Sequence, residues 1–141
     1  MKRKTFITSI IAAGATGTLL AACTNPKATN DTKQDNMESG LIIHSVYFWL
    51  KEGITQEEEQ DFLKFFDVLR TVPGPKELYT AKPAPTNPRP VVDNSFSYFL
   101  LVTFDKMEDI NTYETHPDHL KAAESFSKYW TKVEVKDSVL L

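Results

Sequence analysis

The chain has 141 residues, 41% of them apolar and 11% aromatic, and its 16 basic side chains are outweighed by 19 acidic ones. That length bounds it to one small domain plus accessory segments, and the acidic balance excludes a nucleic-acid surface, which needs a basic face. With Cys23 as its single cysteine, the chain has no internal disulfide framework.

Lys2, Arg3 and Lys4 precede an apolar stretch from Phe6 to Leu20 that Gly14 and Gly17 interrupt. The stretch has the length of a signal-peptide core and is too short to remain as a spanning helix, so residues 1–22 are expected to be a cleaved export signal. Leu20-Ala21-Ala22-Cys23 resembles the bacterial lipobox, whose thiol takes a diacylglycerol and whose freed amine is acylated; the bland alternative is ordinary cleavage near Ala22. The resemblance implies a lipoprotein of the bacterial cell envelope, held on a membrane through Cys23 with its domain outside the cytoplasm. Several acyl chains, at about 0.8 kcal/mol per buried methylene, make such an anchor durable. Removing residues 1–22 takes three basic residues and no acidic one, so 13 basic face 19 acidic and the net charge goes from −3 to −6.

Residues 24–40, TNPKATNDTKQDNMESG, contain one large apolar side chain, Met37, and cannot bury enough surface to offset their chain entropy. With Cys23 they are expected to form a flexible tether reaching roughly 20–25 Å. Residues 41–141 hold nearly all the aromatics and form the expected folded domain.

Leu41 to Leu50, LIIHSVYFWL, is a β-branched and aromatic run with apolar residues in both phases of its alternation, which predicts a strand covered on both faces. Thr55 and Glu58 have capping-box spacing, and Phe62, Phe66 and Leu69 recur at helical spacing. A helix is predicted from about Gln56 to Arg70, ended by Val72-Pro73-Gly74-Pro75. A short extended piece follows near Lys76 to Ala81, and the proline-rich segment from Lys82 to Pro90 is a loop. Ser95 to Phe104 is a second two-sided strand. Helix is predicted at Met107–Tyr113, broken before Pro117, and resumed to about Tyr129 with Pro117 in its first turn; Trp130 to Val135 alternates as a last strand. The order βαββαβ predicts an α+β, ferredoxin-like domain with a four-stranded antiparallel sheet covered by helices on one face. Tyr47 and Trp49 then lie on the other face, which predicts a homodimer that packs two sheets together.

His44-x-Val46-x-Phe48-x-x-Lys51 with Gly53-Ile54-Thr55, Val72-Pro73-Gly74, Val91-Val92-Asp93-x-Ser95-Phe96-x-Tyr98, Tyr113-x-x-His116-Pro117-x-His119 and Val135-x-Asp137-Ser138 together resemble the stress-responsive A/B barrel (Dabb) family. The resemblance covers almost all of residues 41–138 and implies a dimeric α+β barrel. Most members have no established activity, while a plant branch closes polyketide chains by aldol chemistry in a pocket between sheet and helices. It implies that His44, Tyr113 and His119 carry such chemistry, with His119 as base. A pocket tyrosine of that branch falls at Phe66, which keeps the shape and loses the hydroxyl.

Independently of the resemblance, a neutral imidazole can abstract a proton beside a carbonyl, and a phenol within reach can stabilise the oxyanion; Tyr113 and His119 flank a helix break that could aim both into one cavity. Each residue also has a plain structural use: His44 as a hydrogen-bonded core histidine, Tyr113 as helix packing, His119 as a cap. Phe48, Phe62, Phe66 and His116 are the expected ligand-lining residues. His116 and His119 lack a third metal ligand at suitable spacing and Pro117 biases His116 out of a helix, so no metal and no cofactor are expected. Two principal functions follow: binding of a small apolar molecule, or a cofactor-independent cyclase, lyase or isomerase. Haem binding or degradation is a third, by fold analogy alone and without an axial ligand.

Overall fold

The computed structural model describes residues 38–141. The expected signal segment, Cys23 and the tether as far as Met37 lie outside the described residues. The near end of the expected tether is engaged, because Gly40 donates its N–H to the carbonyl of Leu140 at 2.8 Å.

Strand β1 (Ile42–Leu50) leads through a turn to helix α1 (Gln56–Leu69), then β2 (Glu77–Ala81), β3 (Tyr98–Phe104), α2 (Met107–Thr115), α3 (Pro117–Phe126), a single 3₁₀ turn at Ser127–Tyr129 and β4 (Trp130–Val139). The strands form one sheet in the order β2-β3-β1-β4 with every neighbour antiparallel. This is the predicted ferredoxin-like α+β arrangement. No helix among the described residues is long and apolar enough to cross a membrane.

Local sequence explains the helix boundaries. The Thr55 hydroxyl accepts from the Glu58 N–H and the Glu58 carboxylate accepts from the Thr55 N–H, a complete capping box at the start of α1. His116 is extended, with ψ 134°, as a residue before proline prefers; this ends α2 and starts α3 with Pro117 in its first turn. β4 runs to Val139 instead of Val135, because pairing with β1 extends the polar Lys136-Asp137-Ser138 segment that has little strand propensity of its own.

β1 is the hinge of the packing. Ile42, His44, Val46 and Phe48 are buried on the inner face, while Ile43, Ser45, Tyr47 and Trp49 are half-buried on the other. Phe48 is met edge-on by Phe62, Phe65 and Phe66 of α1, with ring centroids 5.7–5.8 Å apart. On the outer face Tyr47 contacts Phe96 and Phe99, and the ammonium of Lys132 lies 4.0 Å above the Trp49 ring. The outer phase of β1 is therefore half-covered within the chain, which leaves part of Tyr47 and Trp49 for the second sheet that the sequence predicts.

Candidate functional site

The site occupies the other end of the inner face, where β1, α2, α3 and β4 converge. His44 is 7% exposed, and its Nδ1 lies 2.7 Å from Oδ1 of Asp137, its partner in register on β4. The carboxylate orients the ring and fixes which nitrogen faces it. The Tyr113 ring centroid lies 6.4 Å from that of His44, and the His119 centroid 4.6 Å from that of Tyr113, so the three predicted residues form one continuous row.

Tyr113 is placed by a close backbone approach. Gly74 has φ +117°, and a β-carbon there would lie 2.6 Å from the Asp109 carbonyl oxygen and 3.2 Å from Cβ of Tyr113. The turn after α1 can therefore seat itself against α2 at this point only with glycine.

The row lines a cavity of about 440 Å³. Its apolar walls come from Val46, Phe48, Phe65, Leu69, Leu100, Ala123, Trp130, Val133 and Val135, and its polar end from His44, Tyr113, Glu114 and His119. A second cavity of about 250 Å³ begins beside it and shares Glu114 as a wall; Asp137 lines it too.

Two polar atoms of the row have no protein partner, the Tyr113 hydroxyl and Nδ1 of His119. Buried polar atoms are nearly always satisfied, and each orphan costs about 1–3 kcal/mol. Burial raises the Tyr113 phenol well above its ordinary value, with the Glu114 charge adding to it, so it is protonated and available as a donor. Burial lowers the pKa of His119, and the neighbouring His44 and His116 push it the same way against the Glu114 backbone. His119 is thus a neutral imidazole near pH 7, the form that can accept a proton.

The remaining expected residues are placed differently. Phe48 lines the cavity, as does Phe65. Phe62 and Phe66 are 0% and 2% exposed, pack against Tyr98, and lie outside the lining. His116 also lies outside it, because its Nδ1 accepts the Asp118 N–H at 3.2 Å and caps α3. Asp137 and Glu114 are missing from the sequence-based set of site residues. The signal for Asp137 was the period-two phase it shares with Val133 and Val135; for Glu114, an exposed helical carboxylate, there was none.

His44, Glu114 and Asp137 bring one ligand atom each within 4.8 Å of one another, the grouping among the described residues that could hold a divalent cation. The histidine is buried and both carboxylates are exposed. The His44–Asp137 hydrogen bond already pairs two of the three without an ion.

Fold and site together define a ferredoxin-like α+β domain with a hollow, polar-ended cavity between sheet and helices. The family model described as the stress responsive A/B barrel domain (Dabb) matches residues 42–140, and the chain belongs to that family. It is similar to olivetolic acid cyclase of Cannabis sativa, 23% identical over 97 residues that make up 68% of this chain and 93% of the cyclase. Among solved structures it resembles a dimeric ferredoxin-like protein of unknown function from Bacteroides fragilis, 21% identical, with TM-score 0.57 over 72% of this chain and 97% of that one. It also resembles the hydroxynitrile lyase of Passiflora edulis, 18% identical, with TM-score 0.58 over 74% of this chain and 96% of the lyase.

Proposed function

We propose that the cavity between sheet and helices binds a small, mostly apolar molecule whose polar end is held by Tyr113, His119 and His44. The observation that carries this reading is that Tyr113 and His119, each with a buried polar atom that has no partner, both line a mostly apolar hollow. A bound group that pairs with both offsets their desolvation, which is what a preformed ligand site provides.

The same observation favours a second reading, cofactor-independent chemistry of the cyclase, lyase or isomerase kind. His119 takes the proton beside a carbonyl, the Tyr113 hydroxyl donates to the carbonyl oxygen that gains charge, and the His44–Asp137 pair orients the polar end. Similarity to a cyclase and a lyase supports this class of reaction without naming the substrate.

Native mass spectrometry of the gently purified full chain tests the first reading: a retained small apolar molecule is expected, and an empty cavity against a broad amphiphile panel would remove it. His119→Ala separates the two. Binding that persists while product formation disappears supports catalysis by His119, and turnover equal to wild type takes His119 out of the mechanism.

We further infer that the chain is a lipoprotein anchored through Cys23 at the bacterial cell envelope and that two copies pair through the sheet face bearing Tyr47 and Trp49. The lipobox-like run supports the anchor, and the half-covered aromatics of β1 support the pairing. Radiolabelled palmitate should enter the chain and not Cys23→Ser. In sedimentation the protein should run as a dimer, and a monomer at micromolar concentration would overturn the pairing.

A further inference from the structure

The charge around the cavity is one-sided. Neither the larger nor the smaller cavity has a lysine or arginine in its wall among the described residues, whereas Glu114 lines both and Asp137 lines the smaller. Glu114 is in no ion pair among the described residues, and its carboxylate lies within 4.8 Å of ligand atoms of both His44 and Asp137. Asp137 already pairs with His44 Nδ1 at 2.7 Å, whereas Glu114 has no such partner among the described residues. The buried Tyr113 hydroxyl still lacks a partner and can accept as well as donate.

We propose that this end of the cavity selects its ligand by charge, taking a cationic, hydrogen-bond-donating head group such as a primary ammonium on an apolar chain and rejecting a carboxylate. Glu114 is the specificity-determining residue. An ammonium has three donors, enough for the carboxylate of Glu114 and the oxygen of Tyr113, which line the same cavity. A carboxylate in the same place would meet the Glu114 charge with no lysine or arginine in either wall to offset it, and such repulsion is how a site excludes a wrong ligand. The polar end accordingly favours amines or amino-alcohols over fatty or aromatic acids. The inference rests on the cavity being a binding site, as proposed above, and concerns only which head group it accepts.

Decylammonium, decanol and decanoate share one chain and differ in head group, so their binding to the full chain by calorimetry at pH 7 isolates the charge term. Decylammonium should bind about tenfold or more tightly than decanoate, with decanol between; a partly exposed carboxylate contributes a few-fold by attraction and a similar factor by repulsion. Glu114→Gln should weaken decylammonium about threefold to fivefold and strengthen decanoate, and Glu114→Lys should reverse the order. Both changes are at an exposed position. If all three probes bind equally, or Glu114→Gln leaves their order unchanged, charge selection fails while the binding site stands. If none of the three binds, the cavity reading falls and the inference with it.

Discussion

The two ends of β1's inner face are built on opposite principles. Phe48 and Phe65 form the far wall of the cavity, and behind that wall the space is filled: Phe62, Phe65 and Phe66 of α1 meet Phe48 edge-on, and the Tyr98 hydroxyl is donated to Glu59, whose carboxylate also takes Lys82 at 2.9 Å. Around His44, four residues earlier on the same face, a cavity remains and two buried polar atoms have no partner. One end has its polar groups paired and its volume occupied. The other keeps unsatisfied donors and acceptors beside a hollow, a loss of stability that function can explain and packing cannot.

Truncation should separate the ends most sharply. Phe62 is 0% exposed within the aromatic cluster, and Phe62→Ala should cost about 3–5 kcal/mol through lost transfer energy and a new void. Val133, 37% exposed at the cavity wall, should cost under about 1 kcal/mol as Val133→Ala, because the space beside it is already open. Urea denaturation of both variants measures the difference, and equal losses would show that the His44 end is as tightly packed as the Phe48 end.

Removing a hydroxyl gives a smaller contrast, of opposite sign at the two ends. Tyr98→Phe deletes a donor to a carboxylate and should destabilise by about 1–2 kcal/mol, since Glu59 loses the hydrogen bond that contributes most to lowering its pKa. Tyr113→Phe deletes a buried hydroxyl with no partner, so stability should stay level or rise by about 1 kcal/mol while ligand binding weakens. Denaturant midpoints decide it. A Tyr113→Phe loss as large as that of Tyr98→Phe would mean the hydroxyl is satisfied in solution.

The packed end was the more legible in sequence, because its signals are local or periodic. The capping box needs only Thr55 and Glu58, and the α1 stripe needs only the 3.6-residue repeat. That repeat cannot tell which of Phe65 and Phe66 faces the cavity, since both fall within one apolar stripe and the answer depends on how α1 lies over the sheet. Tyr113 and His119 were legible through their residue types and the helix break at Pro117, and His44 through the family resemblance. Asp137 was hidden by a different limit: its role depends on β4 pairing with β1 in the register that sets it against His44, 93 residues away in the chain. The polar Lys136-Asp137-Ser138 run resembles a strand end, and only the neighbouring strand makes it a continuation. Glu114 carries no pattern at all, being one of many helical carboxylates until two cavities are found on either side of it.

The smallest effect concerns the pH at which the two ends respond. Burial, with His44 and His116 nearby, lowers the pKa of His119 in the folded chain, whereas the unfolded chain returns it to about 6.5. Between those values the unfolded state binds more protons, so stability rises with pH there; the contribution is fully present above about 6.5 and is lost as pH falls through the folded value. At the packed end, Glu59 is lowered by its Tyr98 and Lys82 hydrogen bonds, and its contribution is present above about 4.3 and lost below that. The two ends should therefore fail in separate windows as the solution is acidified. Urea midpoints at half-unit steps from pH 7.5 to 4 should show His119→Gln flattening the slope just below 6.5 and leaving the lower one, with Tyr98→Phe weakening only the lower. Because neutral His119 is also the proposed base, any proton-transfer activity should hold to a lower pH than an exposed histidine would allow. Activity that halves at about 6.5, together with an unchanged slope in His119→Gln, would place this imidazole in water rather than at the wall of a cavity.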